Sequence, residues 1–180
     1  AFYESMKRAT VSDTELAIML HGRGVGPIFL SDVIPHQTFP PILTKISLRD
    51  CSLKSIHCFE ISQFIKSLPN LKHIDLSDNN LGDEASHILY AVCSHPSIVS
   101  LSMGMCKLTE ATSPALLSLI HLGKLETLNV SPVPLKKATI NKFLEVMDTN
   151  HILNTLSISP AFDVHTEALY QRNSLITDIV

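Results

Sequence analysis

At 180 residues, with 45% hydrophobic and 17% charged residues, the chain is too apolar to stay unstructured and long enough to bury a sizeable core. A net charge of −3 and a pI near 6.3 leave no basic footprint for nucleic acid or anionic lipid, and no acidic tail. No apolar run reaches the roughly 18 to 20 residues that span a bilayer, and residues 1–5 are not a charged segment leading into a hydrophobic one.

Residues 1–42 read as an irregular N-terminal repeat or cap. Phe2, Met6 and Ala9 have loose helical spacing, and Leu16, Met19 and His21 form a degraded copy of the pattern that begins at Leu43. Gly22, Gly24 and Gly26 raise the idea of a phosphate-cradling loop. No Gly-Lys-Ser/Thr follows them, Pro27 stands where a dinucleotide fingerprint needs its third glycine, and no acidic partner sits in a βαβ context, so accident is the better reading.

From Leu43 onward one template recurs, L-x-x-L-x-L-x-x-N/C-x-L. Leu43, Ile46, Leu48, Cys51 and Leu53 fit it, then Leu71, Ile74, Leu76, Asn79 and Leu81, then Ile98, Leu101, Met103, Cys106 and Leu108. Leu125, Leu128, Val130, Val133 and Leu135 make a fourth copy, and Leu153, Leu156, Ile158 and Ala161 a fifth that ends on Asp163. First positions at 43, 71, 98, 125 and 153 give intervals of 28, 27, 27 and 28 residues. Alternating apolar residues such as Ile74 and Leu76 mark a short strand with one core face, and Asp75 and Ser77 mark the opposite face. The ninth-position Asn offers an amide to backbone groups of the loop leaving the strand; Cys is its weaker substitute.

Between strands the spacing turns helical: Ile56, Phe59, Phe64 and Leu68; Ala85, Ile88, Leu89 and Val92; Ala115, Leu116 and Leu119; Ile140, Phe143, Leu144 and Met147. Asp83-Glu84 and Thr109-Glu110 are suited to open two of these helices, and Pro69 and Pro96 to stop helices before the next strand. Residues 43–162 thus form five strand-plus-helix units of an α/β solenoid, with a parallel sheet on the concave side and helices on the convex side. Residues 163–180 read as a partial repeat or C-terminal cap, and uncapped ends would leave apolar surface open, so either a longer parent protein is expected or residues 1–40 and 163–180 serve as atypical caps.

The pattern over residues 40 to 162 resembles the ribonuclease-inhibitor-like leucine-rich repeats, which alternate Cys-bearing and Asn-bearing copies as Cys51, Asn79 and Cys106 do. It departs from them at Val133 and Ala161, where local irregularity is expected. The resemblance implies a protein-interaction module, in particular the C-terminal sensor and autoinhibitory region of a NOD-like immune receptor. It also admits a regulator of another enzyme, resembling ribonuclease inhibitors or Ran-type GTPase activators, and a cytoskeletal domain resembling tropomodulin. Ribonuclease inhibition is the weakest of these, because a basic nuclease favours an acidic, aromatic-rich face, and the acidic segment of a Ran-type activator is missing.

Chemistry-bearing motifs are absent. No G-x-S-x-G, S-x-x-K, C-x-x-C, H-E-x-x-H or H-x-x-x-H occurs, so no catalytic, cofactor-binding or metal-binding residues are assigned. The nearest metal cluster, His87, Cys93 and His95, reads better as helix-end solubility. Cys51 and Cys106 lie two strands apart, roughly 9 to 10 Å, beyond disulfide range, and four reduced thiols suit a cytoplasmic protein.

The candidate site is the strand face. Its outward columns are Lys45, His73, Ser100, Thr127 and Thr155; Ser47, Asp75, Ser102, Asn129 and Ser157; and Arg49, Ser77, Gly104, Ser131 and Ser159. Charge gathers at the N-terminal end, where Lys45, Arg49, Asp50, His73, Asp75 and Asp78 form a mixed patch for a protein partner, and Arg49 is the obvious anchor. Nucleic acid and membrane are not expected as partners, and an exposed helical face leaves self-association open.

Overall fold

The computed structural model describes residues 18–19 and 43–158. Strands β1 (Ile18–Met19), β2 (Lys45–Ser47), β3 (His73–Asp75), β4 (Ser100–Ser102), β5 (Thr127–Asn129) and β6 (Thr155–Ser157) lie in chain order in one six-stranded parallel sheet. Helices α1 (Cys58–Lys66), α2 (Ser86–Ser94), α3 (Ser113–His121) and α4 (Lys137–Met147) run between strands, each packed on the next. This is the expected solenoid.

Register follows the template. Ile46, Ile74, Leu101, Leu128 and Leu156 pair in series across β2 to β6, and all are buried. Leu48, Leu76, Met103, Val130 and Ile158 form a second buried column beside them. Each repeat shares its apolar layer with its neighbours, at roughly 1.5 to 3 kcal/mol per buried side chain, so no repeat is stable alone.

The upstream strand exists, one residue off the expected register: Ile18, not Met19, pairs with Ile46, and Met19 pairs with Ser47. Residues 16–20 are all apolar, so alternation carries no information there and the spacing of 28 decides. Leu16, His21, Gly22 to Gly26, Pro160, Ala161 and residues 163–180 lie outside the described residues.

Helix phase holds in α2 and α3, whose expected face is buried, but not at the start of α1. Ile56 is 72% exposed and Phe59 58%, while Cys58, Ile61, Phe64, Ile65 and Leu68 face the core. A 3₁₀ turn at Ser55–His57 precedes α1, and within α1 Phe59 lies five residues before Phe64, about 140° round the helix from that buried ring. Similar turns at Gly82–Ala85 and Glu110–Thr112 precede α2 and α3. In α4, Phe143 and Met147 are buried and Ile140 and Leu144 half-buried.

The acidic residues expected to open helices mostly reach forward instead. Asp83 accepts from the Thr109 backbone N–H and hydroxyl, both at 2.9 Å, and Glu110 accepts from the Lys136 N–H at 2.8 Å and from the Thr139 hydroxyl. The Thr139 bond, then the Lys136 N–H, hold the Glu110 carboxyl below its ordinary range. Only Thr109 caps its own turn, accepting from Ala111 N–H at 3.3 Å.

Asn79 does what its position predicts, and across two repeats. Its Oδ1 accepts from Cys51 N–H at 3.1 Å and Leu53 N–H at 3.0 Å, and its Nδ2 donates to the carbonyls of Leu48, Leu76 and Ser77 at 2.8, 2.7 and 3.2 Å. The Cys106 thiol makes a reduced version, donating to Leu76 and Gly104 carbonyls at 3.2 and 3.6 Å.

Irregularity at Val133 is present, and its cause sits one residue earlier. Asp50, Asp78 and Met105 occupy the eighth position of the first three repeats with φ of 51°, 60° and 58°. Their N–H groups donate to Ser77, Gly104 and Ser131 carbonyls at 3.0, 2.8 and 2.9 Å. The fourth repeat has Pro132 there, which cannot take a left-handed φ and has no N–H. Val133 N–H bonds to Ile158 carbonyl at 2.7 Å instead, and no 3₁₀ turn precedes α4.

Candidate functional site

Three-residue strands set the spacing of the outward side chains, because each register pair brings equivalent positions side by side. The third column places Lys45 beside His73 and His73 beside Ser100; the fifth places Ser47, Asp75 and Ser102 in a row. Lys45, His73, Asp75, Ser100 and Ser102 line an open depression of about 300 Å³ floored by Ile46 and Ile74. Three of the six candidate residues therefore share one concavity.

The other three lie past the strand ends. Arg49 and Asp78 form an ion pair across adjacent repeats at 2.7 Å, and Asp50 is exposed beside them. The guanidinium of Arg49, the obvious anchor among the columns, thus faces a carboxylate of its own chain, although an exposed pair of this kind is worth only about 0 to 1 kcal/mol. Asp75 also has a structural duty, since its Oδ1 accepts the Ser77 N–H at 3.0 Å, and Asn129 repeats the turn with Ser131 at 3.3 Å.

The columns are less open than alternation implies. Ser47, Ser77 and Gly104 are buried, because neighbouring strands at sheet spacing overshadow small side chains. Arg49, His73 and Thr155 are exposed, and the remaining described column residues, Lys45 among them, are half-buried.

Sequence periodicity missed an apolar patch on the convex side. Ile56, Phe59 and Tyr90 are exposed, and the Phe59 ring meets His87 edge to face at 5.9 Å. The residue types carried a signal, since aromatics are the usual contact anchors, but helical spacing assigned Ile56 and Phe59 to the core.

His87, Cys93 and His95 do not converge. His87 meets Phe59 edge to face and lies 3.4 Å from Glu84, Cys93 is half-buried, and His95 is buried rather than solubilising its helix end. Among the described residues no three His, Cys, Asp or Glu side chains are grouped to hold a metal ion, and no helix is long and apolar enough to cross a membrane. Burial raises the Cys51 and Cys106 thiols to about 11 and Cys58 to about 12, so all three stay protonated and unreactive near neutrality.

No family model matches the chain. It is similar to a ribonuclease inhibitor of Sus scrofa, 32% identical over 131 residues that cover 71% of this chain and 28% of the inhibitor. It is also similar to the NACHT, LRR and PYD domains-containing protein 12 of Homo sapiens, 28% identical over 87% of this chain and 18% of that protein. The chain thus spans less than a third of the length of these relatives. Among solved structures, leiomodin-1 actin-binding site 2 matches with a TM-score of 0.64 at 14% identity, covering 77% of this chain and 84% of that one, which speaks to the fold alone.

Proposed function

This chain belongs to the ribonuclease-inhibitor-like leucine-rich repeat family, and from that premise we propose that it binds a protein partner through the strand face of its first described repeats. The observation that carries the proposal is the depression lined by Lys45, His73, Asp75, Ser100 and Ser102, where charged and hydroxyl side chains from three successive strands converge on an open floor. Arg49, Asp50 and Asp78 follow strands β2 and β3, and charge there would steer and orient a partner more than it adds affinity.

The finer reading is a ligand-sensing and autoinhibitory segment of a larger cytoplasmic NOD-like immune receptor. Similarity to a human protein whose name carries NACHT, LRR and PYD domains supports it, over most of this chain and a small part of that protein. A second reading, regulation of another enzyme, draws on the similarity to ribonuclease inhibitors of Sus scrofa and Mus musculus. The depression opposes that reading for a basic nuclease, since Lys45 and His73 stand in it with one carboxylate and no Phe, Tyr or Trp. The tropomodulin-like reading has only the fold of leiomodin behind it.

Photo-crosslinking separates the faces. A photoreactive residue at position 73 is expected to capture a partner that the same residue at position 90, on the convex side, does not. Capture from position 90 alone would move the surface to the helices. Titration with a basic ribonuclease is expected to leave nuclease activity unchanged; stoichiometric inhibition would establish the enzyme-regulator reading instead.

A further inference from the structure

Two helix ends in this stack are fastened by the same device. After α4, the buried Asn150 turns across the repeat junction, where its Nδ2 donates to the Ile120 carbonyl of α3 at 2.7 Å. Its Oδ1 accepts from the N–H groups of Ile152 and Leu153, each at 3.0 Å. After α2, His95 stands in the equivalent place and is 4% exposed. Its Nε2 lies 2.9 Å from the Leu68 carbonyl, just past α1, and its Nδ1 accepts the Ser97 N–H at 3.3 Å. In both clamps the ring or amide donates once across the junction and accepts from the N–H two residues on. Ser97 reinforces the same junction, its hydroxyl lying 2.8 Å from the Pro69 carbonyl and 3.1 Å from that of Leu71.

The hydrogen bonds determine the tautomer. A carbonyl can only accept, so Nε2 carries the proton; a backbone N–H can only donate, so Nδ1 must be bare. An amide keeps this arrangement at any physiological pH. An imidazole does not, because a proton added at Nδ1 points at the Ser97 N–H and places a charge in a buried site.

We infer that His95 is a pH-sensitive fastener between the repeats that begin at Leu43 and Leu71: neutral, it ties the end of α2 to the end of α1, and on protonation it releases Ser97 and loosens that junction, while the Asn150 junction stays closed. The surroundings agree. Burial pushes the His95 imidazole below its ordinary 6.5, the Leu68 carbonyl works against that shift, and the Lys124 ammonium, past the end of α3, adds to it. Helix α1 ends in Lys66 and α3 in His121, and among the described residues no carboxylate acts on the ring to hold the extra proton. The folded chain therefore binds fewer protons here than the unfolded chain. The stability contributed by the neutral clamp is present above the ordinary value and is lost as pH falls through the depressed folded one.

The test compares the 180-residue chain with H95N and H95A by thermal unfolding at about pH 7.5 and about pH 5.5. H95N, which copies Asn150, is expected to melt close to the parent at the higher pH and to lose about 3 to 6 °C less on acidification. H95A is expected to melt lower at both values, without the extra acid sensitivity. Exchange of the Ser97 amide, corrected for its intrinsic rate, should accelerate in acid only in the parent. If H95N is as acid-sensitive as the parent, or Ser97 stays equally protected in acid, the inference fails. An NMR titration of His95 in the parent chain decides independently of any variant, since a pKa at or above the ordinary value overturns it.

Discussion

The loops that leave β3 and β5 start from the same register position and solve the same problem differently. After β3, one buried side chain, Asn79, satisfies two N–H donors of the preceding repeat's loop and three carbonyls shared between the two loops. After β5, Pro132 excludes the left-handed turn, Val133 supplies no polar group, and the backbone itself reaches the next repeat through Val133 N–H and the Ile158 carbonyl. The difference shows where cooperativity resides. The β3 loop is joined to its neighbours through a side chain as well as the backbone, whereas the β5 loop reaches the next repeat through the backbone, at Val133 N–H and the Ile158 carbonyl.

The largest effect is expected where the core joins these loops. Leu76 is 1% exposed in the buried column between Leu48 and Met103, so Leu76→Asp strands a charge there and should cost more than about 4 kcal/mol, unfolding adjacent repeats together. A denaturant melt with the parent's midpoint would refute the register. Next comes Asn79→Ala, which removes the acceptor of the Cys51 and Leu53 N–H groups and the donor to the Leu48 carbonyl, while the Leu76 and Ser77 carbonyls keep their bonds from the Cys106 thiol and the Asp50 N–H; it should cost about 3 to 5 kcal/mol by chemical denaturation. Val133→Asn sharpens the contrast: the β5 loop is not built to receive an amide, so a loss of about 1 to 2 kcal/mol is expected, and a gain would mean that the two loops are interchangeable. Cys106→Ala removes two weak thiol bonds and should cost only about 1 kcal/mol. Smallest is Arg49→Ala, which removes an exposed ion pair and should shift stability by less than about 0.5 kcal/mol, leaving any larger effect to binding.

Much of this architecture is legible in the residues, because burial of one strand face in every repeat forces the template to recur at fixed spacing. Ile46, Ile74, Leu101, Leu128 and Leu156 are both the pattern and the core. Legibility stops where a local feature breaks the period. The run 16–20 is apolar at every residue and cannot set the phase of β1; Phe59, apolar like its neighbours, falls off the face of α1 that buries Ile61, Phe64 and Ile65; and Pro132 changes the loop one residue before the position where the template flags Val133. For the candidate site, residue types located the charged columns, yet spacing did not reveal that Arg49 is engaged by Asp78 or that Ser47 and Ser77 are overshadowed. His95 was readable only by setting it beside Asn150, since a polar residue at a helix end looks solvated until its partners are known.

The most direct test of the binding surface is partner affinity for the parent chain and for a variant with Lys45, Arg49, His73 and Asp75 all changed to alanine, both shown to melt alike. We expect the variant to lose binding at least about tenfold, mostly through faster dissociation. Equal affinity of the two folded proteins would contradict the strand-face site and turn attention to the exposed Ile56, Phe59 and Tyr90 of the convex side.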